Sequence, residues 1–175
     1  MKNKIHSKSY TIGPGSAPNP VFSAALAYLD AAENAYSRET AKTGFLTFKN
    51  WFVVHHLSVI ATELFVKSFR VTVSHPTVTS ENGPDGEAVA HAYRSHNTLL
   101  DKLDLRDKNG LEDYLSDALF KLLLSASKDE ISRGRYPYED HNGSTRFPAS
   151  DEGGQKLAGD WLTLARALSN YKRNI

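Results

Sequence analysis

Apolar residues recur three and four positions apart over most of the chain, which is the spacing of one face of an α-helix. Asn19 followed by Pro20 is typical of a helix N-cap and the first helical position, and the apolar face behind them predicts a first helix over 20–39. The same spacing predicts a last helix from Asp151, as its N-cap, to about residue 172.

The second predicted helix spans about 45–69 and contains neither Pro nor Gly. Its first half, from Trp51 to Ile60, is apolar nearly all round, which predicts the buried centre of a bundle. Its second half narrows to one apolar face, so Glu63 and Lys67, four apart, are expected to pair on an exposed surface. Val71-Thr72-Val73 alternates in polarity and is compatible with a short strand.

Shorter helical patterns predict a segment over about 87–104 and a helix over about 111–127, separated by a turn from Asp107 to Gly110. Residues 128–150 are expected to form a long irregular segment, because Gly and Pro interrupt every pattern there.

The fold class that follows is all-α, an antiparallel (up-and-down) bundle of four to five helices. Residues 1–19 are expected to form an extended N-terminal arm, because Gly13-Pro14-Gly15 and Pro18 break any regular element. Residues 20–175 then make up a single helical-bundle domain, in keeping with a chain of 175 residues.

Composition narrows the classes of function. Hydrophobic residues make up 40% and charged residues 23%, which is ordinary for a globular protein. The absence of Cys excludes a disulfide framework, Cys-based zinc sites and a thiol nucleophile. No apolar run has the length of a membrane helix and the N-terminus lacks the apolar core of a signal peptide, so a cytoplasmic location is expected.

Neither a cofactor nor a metal site is predicted. His55 and His56 are adjacent, so on a helix their side chains diverge by about 100° and share a metal poorly. The net charge of +1, from 21 basic and 20 acidic residues, lacks the basic excess of most nucleic-acid-binding domains. Any site for a polyanion must therefore be a local patch.

The densest candidate chemistry lies between Ser132 and His141, with two arginines, two tyrosines, two carboxylates and one imidazole. Arg133 and Arg135 suit bidentate contacts to phosphate, and Tyr136 and Tyr138 suit stacking on bases. The acidic residues of the same segment leave a second interpretation open, in which an ion-pair network pins this loop to the bundle.

Three motifs in order resemble those of HEPN domains. Ala61-Thr62-Glu63-Leu64-Phe65-Val66-Lys67 resembles their A-x-E-L-x-x-K signature, and the segment from His96 to Leu103 resembles their short H-x-x-L-x-x-L helix. Arg135-Tyr136-Pro137 resembles the R-Y-P that follows their penultimate long helix. The resemblance covers about 20–172. It implies an up-and-down helical bundle, commonly dimeric, in prokaryotic toxin–antitoxin, defence or nucleotidyltransferase-partner contexts.

Catalytic HEPN domains are metal-independent ribonucleases with an R-x4-6-H motif, so the resemblance implies Arg135 and His141 as catalytic candidates. The imidazole would move protons at the ribose hydroxyl and leaving oxygen, and the guanidinium would stabilise charge on the phosphate. Pro137 falls inside the motif, which favours a non-catalytic module. Arg70 and His75 also satisfy the spacing, which shows how permissive the pattern is.

Three functions stay open: a non-catalytic module that binds RNA, a nucleotide or a protein; a metal-independent endoribonuclease of the toxin type; and a dimerisation scaffold. The residues expected to bind a ligand are Arg133, Tyr136, Tyr138, Glu63, Lys67 and His96. The 133–141 loop is expected to lie against the bundle near Glu63, Lys67 and His96, and the structural interpretation of R-Y-P pairs Arg135 with Glu63.

The expected partners are a second copy of the chain, RNA or a nucleotide, and an antitoxin or nucleotidyltransferase. Self-association is predicted because the first and last helices both carry long aromatic-bearing faces. The aromatic residues of these two faces are Phe22, Tyr28, Tyr36, Trp161 and Tyr171.

Overall fold

The computed structural model of the chain describes residues 7–12, 19–44, 48–76, 87–90, 99–126, 131 and 150–171. The described helices are α1 (Pro20–Thr43), α2 (Phe48–Ser68), α3 (Leu105–Tyr114), α4 (Asp117–Ser125) and α5 (Asp151–Asn170), and a 3-10 turn covers Leu99–Lys102. The described strands are β1 (Ser7–Ile12), β2 (Val71–Pro76) and β3 (Glu87–Ala90).

Helix α2 is the centre of the bundle and packs against both α1 and α5. Helix α1 runs antiparallel to it. At one end of this pair the Asn50 amide donates to Glu39 at 2.7 Å, and at the other the Asn19 amide donates to the Ser68 carbonyl at 3.0 Å. The strong apolar character of α2 has its explanation here, because a helix covered on two sides must hide more than one stripe.

Helix α5 runs parallel to α2. The Trp51 indole nitrogen donates to Asp151 at 3.3 Å near the start of both helices, and the Phe69 and Tyr171 rings stack with centroids 5.5 Å apart beyond their ends. Because α2 and α5 point the same way, the chain between them must return to the end of the bundle where α2 begins. This return is what an up-and-down order requires. The predicted helical bundle is confirmed.

Capping residues account for the ends of the long helices. The Asn19 side chain accepts from the backbone N–H of Phe22 at 3.0 Å and caps α1 as predicted. Gly44, with φ of 74°, ends α1 in the left-handed region, one turn later than expected. Ser150 accepts from the N–H of Gly153 at 3.2 Å, so the cap of α5 lies one residue before the predicted Asp151.

Two short elements differ from the prediction. The helical segment predicted over 87–104 is wrong at Glu87–Ala90, which is strand β3, and Leu99–Lys102 is a 3-10 turn. The turn predicted from Asp107 to Gly110 is wrong as well, because both residues lie within α3.

The helix predicted over 111–127 is divided into α3 and α4. Leu115 is buried in an extended conformation and Ser116 then caps the new helix α4. Burial of the Leu115 side chain and the cap at Ser116 stabilise the break more than one continuous helix would be stabilised by its propensity. The apolar stripe runs through both helices, so the sequence pattern does not reveal the break.

A three-stranded antiparallel sheet in the order β1-β2-β3 accompanies the bundle and was not part of the all-α prediction. Ile12 pairs with Val71, and Val71 pairs with Ala90. The alternation at Val71-Thr72-Val73 did indicate β2, and the extended arm contributes β1. Strand pairing joins residues far apart in sequence, so one alternating segment alone does not reveal its partners.

The first half of α2 buries Trp51, Val54 and Val59 as predicted, but the second half is enclosed more completely than the first. Val53, in the first half, is 43% exposed, whereas the second half buries Thr62 and Glu63 as well as most of its apolar residues. The Phe22 and Phe65 rings meet edge to face there, with centroids 5.3 Å apart. The prediction that the first half is the more buried one is therefore wrong, because burial depends on which elements cover the helix.

Candidate functional site

The acidic and basic residues of the A-x-E-L-x-x-K signature form an ion pair inside the bundle. Glu63 Oε1 lies 2.6 Å from Lys67 Nζ, with 3% of the Glu63 side chain and 19% of the Lys67 side chain exposed. The prediction that they pair is confirmed, but the prediction of an exposed surface is wrong. A carboxylate this deeply buried needs its partner, because an isolated charge in the protein interior is costly.

The ion pair with Glu63 restricts the positions that the Lys67 ammonium can occupy. The Lys67 side chain keeps 19% of its surface exposed, so the pair is not sealed completely from solvent. A compact cation held at one position is suited to a phosphate or carboxylate oxygen of a ligand. This is the chemistry available at the pair: placement of a positive charge.

A polar stripe on α2, comprising His55, Ser58 and Thr62, was missed by the sequence analysis. Their spacing of three and four puts them on one side of the helix. The hydroxyl oxygens of Ser58 and Thr62 are buried and make no hydrogen bond to any residue that the structure describes. The stripe could have been found from the sequence, because these polar residues recur at helical spacing within an otherwise apolar helix.

His55 is neutral at physiological pH. Burial, followed by the charge of neighbouring His56, lowers the pKa of His55 from 6.5 to about 4. The His55 ring meets the Trp161 indole edge to face at a centroid distance of 6.2 Å. This contact places the stripe between α2 and α5, where an uncharged imidazole packs as an aromatic ring.

The aromatic faces from which self-association was inferred are mostly used within the bundle. Trp161 is 4% exposed, and Phe22, Tyr36 and Tyr171 pack against the core. Tyr28, at 39% exposed, is the member of the set that faces solvent. Self-association stays a prediction, but these five residues do not together form an outer surface.

Most of the predicted site residues lie outside the described part of the chain: Arg133, Arg135, Tyr136, Tyr138, His141 and His96. The predicted approach of their loop to Glu63, and the ion pair of Arg135 with Glu63, therefore stay predictions. Glu63 and Lys67 are the two members of the predicted set whose positions the structure gives.

The two residues of the second R-x4-6-H match lie in different structural elements. Arg70 lies in the bend after α2, whereas His75 lies in strand β2. An extended strand advances about 3.3 Å per residue, so the backbone of His75 is about 13 Å beyond that of Val71. The two residues do not share a helical turn, which argues against them as a catalytic pair.

Within the described ranges, no three His, Asp or Glu side chains converge as metal ligands. None of the helices in this part of the chain combines the length and apolar character needed to cross a bilayer. No protein-family model, curated protein or solved structure matches the chain. The resemblance to HEPN domains therefore depends on the three motifs and their order along the sequence.

Proposed function

We propose that this protein is a HEPN-like helical module that binds RNA or a nucleotide without cleaving it, as a component of a prokaryotic defence or toxin–antitoxin system. The observation that carries the proposal is the buried ion pair of Glu63 with Lys67 at 2.6 Å on the central helix. The pair occupies the signature positions of the family that the sequence resembles, and 19% of the Lys67 side chain is exposed.

The module is proposed to be non-catalytic because Pro137 interrupts the spacing between Arg135 and His141. Proline fixes its own φ and restricts the residue before it, which hinders a helical arrangement of the two catalytic side chains. An endoribonuclease that uses Arg135 and His141 is the alternative, and the experiment below separates the two.

The test measures binding and cleavage of the same RNA. The purified protein is titrated into a fluorescein-labelled single-stranded RNA, with fluorescence anisotropy for binding and a denaturing gel, in the presence of EDTA, for cleavage. We expect binding with a Kd that rises with salt, because contacts to phosphate release counterions. Intact RNA is expected throughout. RNA cleavage lost in both Arg135→Ala and His141→Ala would establish the endoribonuclease instead.

Lys156 provides a matched control for Lys67. Each lysine pairs with a carboxylate four residues away at 2.6 Å, but the Lys156 side chain is 76% exposed and its partner Asp160 is 47% exposed. We expect Lys67→Met to weaken RNA binding several-fold and Lys156→Met to leave it unchanged. Equal effects of the two changes would show that only net charge matters, and absence of binding by the wild type would refute the proposal.

A further inference from the structure

Three aromatic rings form a row that leads from the core to the surface, at the end of the bundle where α2 and α5 finish. The row begins at Phe69, which is 3% exposed and stacks on Tyr171 with centroids 5.5 Å apart and an interplanar angle of 24°. Tyr171 meets Tyr114 edge to face at 5.1 Å. Tyr114, at the outer end, is 45% exposed. We call these three residues the aromatic row.

The middle ring of the row is held against helix α3. A Cβ added at Gly110 would lie only 2.3 Å from the Tyr171 hydroxyl oxygen, so the glycine permits a close approach of α3 to this ring. Tyr171 is thereby confined by Phe69, Gly110 and Tyr114. The exposed ring of Tyr114 rests on this support and loses little conformational freedom when a ligand packs on it.

Basic residues accompany the row. Exposed Arg70 follows Phe69 directly, and Lys67 precedes Phe69 by two positions on the same end of α2. Asp113, beside Tyr114 in α3, opposes them, but it lies about 100° around the helix from Tyr114. A half-exposed aromatic ring with basic residues on an adjoining segment is a combination with which proteins bind single-stranded nucleic acids.

We infer that Tyr114 is a stacking platform for one base of a single-stranded RNA, with Arg70 contacting the phosphate backbone beside it. This inference rests on the proposed RNA-binding function and names the surface that performs it. Because every base has a π-face, such a platform accepts RNA of any sequence. A protein partner fits less well, since Tyr114 is the one ring of the aromatic row that is exposed.

The experiment compares Tyr114 with Tyr28, a tyrosine of similar exposure at 39% on helix α1. A fluorescein-labelled 12-nucleotide oligouridine is titrated with the wild type, Tyr114→Leu, Tyr114→Phe and Tyr28→Leu. We expect roughly a tenfold increase in Kd for Tyr114→Leu, the effect of losing one stacked base. Tyr114→Phe keeps the ring and is expected to bind as the wild type does, and so is Tyr28→Leu.

The role of Arg70 is tested by salt dependence. Arg70→Gln should reduce the slope of log Kobs against log salt by about 0.7, the value for one phosphate contact to a single strand. Arg38→Gln removes an equal charge from the opposite end of the bundle, where neighbouring Glu39 accepts from Asn50. The slope of that variant should match the wild type.

Crosslinking gives a readout that does not depend on the folding of any variant. Oligouridine containing 4-thiouridine is irradiated with the wild-type protein, and we expect the crosslinked peptide to contain Tyr114. If the wild type binds RNA, Tyr114→Leu binds it equally well and the crosslinks lie elsewhere, Tyr114 is not the stacking platform. That outcome would leave the proposed RNA binding intact. No RNA binding by the wild type would overturn both proposals.

Discussion

Gly154 of helix α5 lies directly against the indole ring of Trp51 in helix α2. A Cβ built on Gly154 would lie 2.2 Å from a carbon of this ring, a distance that side chains do not tolerate. Trp51 is 1% exposed and its nitrogen is tied to Asp151, so the ring has little room to move. The parallel packing of α2 and α5 therefore depends on a missing side chain.

Gly154→Ala should destabilise the protein by about 1–3 kcal/mol, because overpacking forces Trp51 or the helix to shift. Gly159 is the matched control, since no atom lies within 4 Å of its built Cβ and it belongs to the same helix. Gly159→Ala should stabilise by about 0.5–1 kcal/mol through helix propensity. Urea unfolding of the two variants measures both effects, and equal shifts of the same sign would contradict the packing account.

The buried ion pair should contribute more to stability than the exposed one. Lys67→Met leaves the Glu63 carboxylate in the interior without this cation and should cost about 1–3 kcal/mol. Lys156→Met, at the exposed pair with Asp160, should change the free energy of unfolding by less than about 0.5 kcal/mol. Thermal and urea unfolding provide the comparison.

A second change isolates the charge. Glu63→Gln in the Lys67→Met background should recover part of the lost stability, because no charged carboxylate is then left in the interior. A double variant that is less stable than Lys67→Met would show that contacts other than Lys67 stabilise the Glu63 carboxylate.

Stability should fall in acid through His55. Its pKa is about 4 in the folded protein and 6.5 in the unfolded chain, so between these values the unfolded state binds the extra proton. Neutral His55 therefore carries no penalty above pH 6.5. As the pH falls from 6.5 towards 4, the free energy of unfolding decreases by about 1.4 kcal/mol for each pH unit. His55→Phe keeps a ring against Trp161 and removes this slope. Identical pH profiles of the two proteins would show that His55 is protonated without penalty.

Arg135→Ala tests the interpretation of the R-Y-P motif as a structural element. If Arg135 pairs with the buried Glu63, the variant should have a lower melting temperature and no ribonuclease activity to lose. Arg166→Ala is the comparison, because Arg166 pairs with Glu33 at 2.6 Å while 44% and 38% of the two side chains are exposed. It should leave the melting temperature almost unchanged. Cleavage of RNA by the wild type, lost in a fully folded Arg135→Ala, would favour the catalytic interpretation.

Local chemistry accounts for what could be predicted from the sequence. Asn19 with Pro20 marked the start of α1, and the apolar spacing behind it and behind Asp151 marked the long helices, because helices are built from contacts three and four residues apart. The i,i+4 pairing of Glu63 with Lys67 could be predicted for the same reason. The helical bundle follows from these local signals.

The tertiary structure alone decided what covers each residue. It buried Glu63 and exposed Val53, against the apolar pattern of α2, and it joined the arm to β2 as a strand. It also brought Tyr171 between Phe69 and Tyr114, which are separated by more than forty positions in the sequence. Such contacts join residues far apart in the chain, and the periodicity of any one segment specifies which face is apolar but not which partner covers it.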